Sequence, residues 1–298
     1  MFMKRFIRDV LIFGILVLAL LVAAETYVRN MPNPARDKHQ WMLQHAPQVE
    51  TLVLGSSHTF YGINPDVLGD NAYSLAMVSQ TYRYDDWLLK NYDFKNLKRV
   101  ILPFSYFSLY EDFESGMDEH YISRYRIYMD CPIHSCFSKY NFEFMSFMAF
   151  KEKLKSMFQP QHMTWTEKGW GSNYTLASRD DDWDNGEERA LSNTYADTSV
   201  VPINRAFLRD IFEWCAAHDV AVYWISTPLT ESYRIHCDSA QLRQNIRVRN
   251  ELLSSYPAVH YYDFSADTTF VSEDFYDADH LSDVGARKLT RKLGELMR

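Results

Sequence analysis

Beyond its first fifty residues the chain alternates short apolar runs with longer amphipathic stretches. Thr51–Leu54, Ala72–Ala76, Arg99–Leu102, Val220–Ser226 and Val259–Asp263 read as β-strands. They are short and mostly apolar, as expected of strands buried on both faces of a parallel sheet. Helical spacing follows or separates them. Tyr82–Tyr92 comes after the second strand. Pro202–Ala217 sets Ile203, Phe207, Ile211 and Trp214 on one face, with Pro202 in its first turn. Ser239–Tyr256 starts at a capping residue and turns Leu242, Ile246 and Leu253 inward. Asp283–Met297 does the same with Val284, Leu289, Leu293 and Leu296. This alternation predicts an α/β fold, a three-layer α/β/α sandwich around a mainly parallel, flavodoxin-like five-stranded sheet. The pattern contains no internal repeat.

Residues 107–200 break the rhythm. They hold many aromatics, the pair Cys131 and Cys136, and the polar run "SRDDDWDNGEERALSN". The segment is too long for one crossover and reads as an insertion over the strand ends, partly helical around Phe142–Phe158. Asp180, Asp181 and Asp182 read as a solvated loop rather than a cation site.

The N-terminus carries a different pattern. Lys4, Arg5 and Arg8 precede an uncharged run from Val10 to Ala24, which Phe6, Ile7, Thr26, Tyr27 and Val28 extend towards the ~20 residues a bilayer needs. Basic residues ahead of the run hold that end in the cytoplasm and put the rest of the chain outside. Val22-Ala23-Ala24 before Glu25 also resembles a signal-peptide cleavage site, but an uncleaved transmembrane helix is the expectation. The organisation expected is therefore an anchor over 1–29, a tether over 30–48 containing Pro32 and Pro34, and a domain over 49–298.

Composition narrows the classes. The chain has 298 residues, enough for one large α/β domain with an insertion. Its net charge of −8 argues against a nucleic-acid partner. Aromatics make up 15%, which suits a core at least as well as a sugar platform. Outside the cytoplasm Cys131 and Cys136 are placed to close a small loop, and Cys215 with Cys237 is a guess. No CxxC or HxxxH spacing calls for a metal.

The candidate chemistry lies at two strand ends. "TLVLGSSHTF" stops abruptly at Gly55-Ser56-Ser57-His58. Ligands of such sheets sit beyond the carboxyl ends of the strands, where Gly55 permits a tight turn and a serine meets helix-terminal N–H groups. "FYDADHLSDVGARKL" puts Asp277 and His280 three apart before the last helix, which Ser282 or Asp283 caps and where Gly285 allows close packing. A nucleophilic serine needs a base to take its proton and a carboxylate to orient that base. His58, beside Ser57, points elsewhere and meets substrate if anything. Thr227 sits at the end of the fourth strand, where "STPLTESY" borders the pocket. Asp263 either backs His280 or caps the next turn.

Together these blocks resemble the SGNH/GDSL hydrolases. Gly55-Ser56-Ser57 stands where that superfamily has Gly-Asp-Ser, and Asp277-Ala278-Asp279-His280 where it has its terminal DxxH. The resemblance covers about 50–110 and 218–298. It is strongest to the membrane-anchored extracytoplasmic branch, which includes alginate and peptidoglycan O-acetylation proteins and the teichoic-acid D-alanylation accessory protein. Carried over, it implies Ser57 as nucleophile, His280 as base and Asp277 as orienting carboxylate, with no cofactor. It implies an esterase or O-acyltransferase, of O-acetyl type, acting on cell-surface polysaccharide through acyl-Ser57. A multi-span membrane acyltransferase is the implied partner. The implied place is the bacterial inner membrane, single-pass, with the C-terminal domain in the periplasm. Two family blocks are missing. No Gly appears between Asn71 and Gln80, and "ILPFSYFSL" lacks a Gly-x-Asn. An oxyanion hole would then rest on the Ser57 N–H and on Ser74 or Ser79, with Ser105 or Tyr106 in place of the Asn. Loss of one such donor costs on the order of 10²–10³ in rate. The alternative expectation is therefore an inactive glycan-binding or assembly factor.

Overall fold

Five parallel strands form one sheet in the order β2-β1-β3-β4-β5, with β1 Thr51–Val53, β2 Ala72–Ser74, β3 Arg99–Pro103, β4 Ala221–Ser226 and β5 His260–Asp263. β1 lies between β2 and β3, its Thr51 level with Ala72 on one side and Arg99 on the other. All of β1 and β2 is buried, as are the centres of β3 and β4, whereas the edge strand β5 is partly exposed. The expected flavodoxin-like order and the five strands are present, each within two residues of its expected ends. The structure, a computed structural model, describes residues 2–113, 119, 121–132, 138–143 and 164–298.

Helices cover both faces. Tyr82–Asn91 packs on Val201–Ala217. Ser57–Gly62, Pro65–Leu68 and Asp283–Leu296 form the other group, around Phe60, Ile63, Leu281, Leu289 and Leu293. Three predicted helix faces are rotated. In Asp283–Leu296, Leu289 and Leu293 are inward, but Val284 and Leu296 are exposed. In Val201–Ala217 the buried stripe is Asn204, Leu208, Ile211, Phe212 and Cys215, not one through Ile203. Asn204 turns in because its amide donates to the carbonyls of Leu109 (3.0 Å) and Glu111 (2.9 Å). In Ser239–Ser255, Gln241, Asn245, Val248 and Leu252 are buried, and Leu242 and Ile246 instead face a cavity.

Residues 30–48, expected as a tether, contain a helix and a short 3-10 turn, Ala46–Gln48. Pro34–His45 is a helix, because Pro34 sits in its first turn, where a missing N–H costs nothing. Asn33 caps it, accepting from the N–H groups of Ala35 (2.9 Å) and Arg36 (3.3 Å). Trp41 stacks on Tyr73 of β2 at 3.9 Å, and the buried Lys38 ammonium donates to the Ala76 carbonyl.

The chain divides into two compact units, Met1–Asp37 with Glu119–His162, and Lys38–Asp118 with Met163–Arg298. The expected insertion over 107–200 is thus split between them. In the first unit, Phe2–Arg29 is one helix, long and apolar enough to cross a membrane, with Leu11, Phe13 and Leu18 exposed. At its end Glu25 pairs with Arg29 (2.7 Å) and accepts from the Glu143 N–H (3.0 Å). The helix expected over Phe142–Phe158 and the partner cysteine Cys136 lie outside the described residues. Cys215 and Cys237 are free thiols, so that pairing is absent. Asp180–Asp182 is an exposed loop.

In the second unit, residues 164–171 bind the helix that follows β1. The Gly171 N–H donates to Phe60 O (2.9 Å) and Trp170 Nε1 to Tyr61 O (2.7 Å), satisfying carbonyls at that helix's end. Before this helix, Gly55 has φ +105, and a Cβ there would lie 2.1 Å from the Pro103 ring. Gly55→Ala is therefore expected to cost about 3 kcal/mol or more, combining left-handed strain with overpacking. A urea midpoint left unchanged would refute this.

Candidate active site

β1 ends at Gly55, whose N–H donates to Asp85 Oδ1 (2.8 Å), and Gln80 Nε2 donates to the same oxygen (2.6 Å). Burial pushes the Asp85 carboxyl up to about 7, against the pull of these two bonds. Ser56 is the N-cap residue and Ser57 the first residue of helix Ser57–Gly62, where the earliest N–H groups have no partner in the helix. The Ser57 side chain is half-buried at the carboxyl edge of the sheet.

The second half of the site is a tight loop before the last helix. Phe275 bridges to Leu281, and the Tyr276 N–H donates to His280 O (2.9 Å). Ser282 caps the helix, accepting from the Gly285 N–H (3.3 Å). Gly285 is required because a Cβ there would lie 2.0 Å from Asp274 O. Inside the loop, Asp277 Oδ1 accepts from the N–H groups of Asp279 (3.0 Å) and His280 (2.8 Å). The backbone thus holds the carboxylate in place.

The two halves meet. His280 Nε2 is 2.8 Å from Ser57 Oγ, and His280 Nδ1 is 2.9 Å and 3.0 Å from the Asp277 oxygens. Serine, imidazole and carboxylate form one hydrogen-bonded line across a sequence separation of 223. Burial pulls the His280 pKa down, but Asp277 and Asp279 outweigh it and hold the ring at about 9.

A second carboxylate lies alongside. Asp279 is fully buried, and Arg189 grips it with Nε–Oδ1 at 2.8 Å and Nη2–Oδ2 at 3.1 Å. Asp279 Oδ2 is also 3.3 Å from His58 Nε2, and Oδ1 is 3.4 Å from His280 Nδ1. Burial works against its charge, but His280 and His58 keep it well below the usual carboxylate range. Arg189 comes from helix Gly186–Ser192 in the polar run. That helix seats against Ser232 and Tyr233 so closely that a Cβ at Gly186 would lie 2.2 Å from Ser232 Oγ. Among the described residues, His58, Asp279 and His280 form a group whose ligand atoms lie within 4.8 Å of one another. A guanidinium across both Asp279 oxygens already supplies the positive charge a cation would bring.

Tyr61, Tyr174 and Tyr276 stack in a ladder, 3.7 Å and 3.9 Å between ring centroids, beside the His280 ring. Tyr174, Arg189 and Asn193 come from the stretch expected as an insertion, where no periodicity flags them; Arg189 lies in the polar run "SRDDDWDNGEERALSN", which by sequence reads only as polar.

The remaining expected residues fall in different places. Ser74 is 0% exposed and its Oγ has no partner, so it is sealed from any substrate. Ser79 lies half-exposed at φ 56, in the turn that hangs from Gly55 O by the Met77 N–H. Ser105 and Thr227 do not face Ser57; both hydroxyls bond His58 Nδ1, at 2.7 Å and 3.2 Å. His58 is buried among them. The Tyr106 hydroxyl is taken by Thr194 and by the Asp238 N–H. Asp263 caps its own turn through Ser265 and does not reach His280.

No family model and no curated protein matches the chain. Solved structures resemble it at low identity. A protein provisionally described as a platelet activating factor from Streptococcus pneumonia aligns at 11% identity and TM-score 0.46, over 96% of this chain and 99% of that one. A GDSL-like lipase from Bacteroides thetaiotaomicron aligns at 10% and 0.42, over 89% and 100%. An acetyl xylan esterase, AlAXEase, aligns at 10% and 0.40, over 83% and 100%.

Proposed function

We propose that the chain is a serine ester hydrolase or O-acyltransferase working through acyl-Ser57. The observation that carries this is the unbroken line from Ser57 Oγ through His280 to Asp277. In this reading His280 takes the Ser57 proton as the oxygen attacks the ester carbonyl, then returns it to the departing alcohol. Asp277 keeps the Nδ1–H tautomer and steadies the imidazolium. In this reading the Ser57 N–H, with the half-exposed turn at Ser79, would donate to the oxyanion.

The finer assignment is an O-acetyl transferring or releasing enzyme on cell-surface polysaccharide. Tyr276, the half-buried end ring of the tyrosine ladder beside His280, supports it, since a partly exposed aromatic ring suits a sugar. Helix Phe2–Arg29 would hold the protein in the inner membrane with the sheet domain in the periplasm, alongside a multi-span acyltransferase. The direct test incubates the full chain in detergent with p-nitrophenyl acetate and, separately, with a fluorophosphonate, and then maps the adduct. Turnover with an adduct on Ser57 is expected. A folded protein that does neither would instead be a glycan-binding or assembly factor.

The pH profile follows from the His280 environment. The base must be neutral to act, and two carboxylates hold it charged up to about 9. kcat/KM should therefore rise with pH and level off only above about 9. Asp279→Asn removes negative charge and exposes the imidazolium to Arg189. Both effects lower the pKa, so the rise should move to lower pH. A wild-type plateau already present at pH 6 would refute this account of the base.

A further inference from the structure

A second hydrogen-bonded line lies beside the first. Ser105 Oγ is 2.7 Å from His58 Nδ1, and His58 Nε2 is 3.3 Å from Asp279 Oδ2. Asp279 is ionised and fixed by Arg189 and by Asn193 Nδ2 (3.2 Å), so His58 Nε2 carries the proton and Nδ1 offers its lone pair. Ser105 is closer to that lone pair than Thr227, at 2.7 Å against 3.2 Å. Burial keeps His58 below the ordinary histidine range and hence neutral. The order of groups is hydroxyl, imidazole, carboxylate, as at Ser57.

This line opens into a cavity of about 330 Å³ at the ends of β3, β4 and β5. His58, Ser105 and Thr227 line it, with Leu242 and Ile246 as an apolar wall. Two further wall residues carry buried polar atoms with no hydrogen-bond partner, Arg234 Nε and Asn245 Oδ1. Such atoms are costly unless a ligand or water meets them. Neither Ser57 nor His280 is among the described lining residues. The volume suits a small molecule, and Arg234, with its unpartnered Nε, beside aliphatic side chains suits a short acyl ester whose alcohol carries negative charge.

We propose that Ser105 is a second nucleophile, activated by His58 and Asp279, that takes an acyl group from such an ester in this cavity. Ser105 Oγ attacks the carbonyl carbon and its proton passes to His58 Nδ1. The bond from that carbon to the alcohol oxygen breaks, and His58 returns the proton to the departing alcohol. The products are acyl-Ser105 and the free alcohol. This chemistry does not depend on Ser57.

The test treats the full chain in detergent with a short-chain fluorophosphonate and maps adducts by peptide mass. Wild type is expected to carry adducts on both Ser57 and Ser105. Ser57→Ala should keep the Ser105 adduct and Ser57→Ala/Ser105→Ala should lose it. In the Ser57→Ala background, His58→Gln should slow Ser105 labelling by about 100-fold or more, the usual worth of a general base. Ser105→Ala alone should leave Ser57 labelling intact, which shows that the site still folds. An adduct on Ser57 only overturns this proposal and leaves the function proposed above standing. An adduct on Ser105 only does the reverse. No adduct on either serine overturns both.

Discussion

In a Ser105→Ala background, Ser57→Ala should lower turnover of an acetyl ester by about 10⁵-fold or more, leaving little above the spontaneous rate. The size follows from the poverty of the rest of the site. When a nucleophile is removed, residual catalysis comes from oxyanion donors and binding. Here Ser74 is sealed and Ser105 and Thr227 face His58, so few donors remain to act on a water molecule. Ser56→Ala is the matching control. The Ser56 hydroxyl is buried with no hydrogen-bond partner, so no base is placed to activate it. Steady-state rates on the two purified variants decide the matter. A Ser57→Ala enzyme within tenfold of its Ser105→Ala parent would remove Ser57 from the mechanism.

Asp277→Asn should cost about 10⁴ in kcat with a smaller change in KM. One Asp277 oxygen is held by two backbone N–H groups and will stay an acceptor when the residue becomes an amide. The new NH₂ must then face His280 Nδ1. It can only donate there, which forces the ring proton onto Nε2, where it points at Ser57 Oγ. A ring in that tautomer cannot take the serine proton. Asp279→Asn has no such effect, because Asp279 reaches Nδ1 only at 3.4 Å, and it should shift the pH profile instead. A loss below about tenfold at Asp277, measured at saturating ester, would mean that Asp279 orients the ring.

The sheet was legible because its strands are apolar on both sides, and Leu52, Val100, Val222 and Trp224 leave little room for another reading. The chain reversals that carry Ser57, Asp277 and His280 were legible from Gly55 and from the DxxH spacing, whereas joining the three came only from the resemblance to the SGNH/GDSL hydrolases. Helix faces were harder. Leu242 and Ile246 belong to an apolar stripe, but a cavity, not the core, receives them. Asn204 faces inward for hydrogen bonds that no hydropathy pattern records. Pro32 and Pro34 suggested a tether, although in a first turn proline starts helices. Asp279 looked like loop polarity, and its meaning depends on Arg189, ninety residues earlier in a stretch without periodicity. Pairings across that distance are decided by packing and leave no mark in local sequence.

The separation of 223 residues between Ser57 and His280 has a consequence in time. A chain growing from its N-terminus completes the strand and turn of Ser57 early and gains His280 only after all five strands of the sheet have been synthesised. Until then the serine is an ordinary hydroxyl, inert to any ester it meets in the compartment where it was made. On the reading proposed above, the protein reports its own completion: truncated or stalled copies stay silent, and activity begins only when the last helix docks.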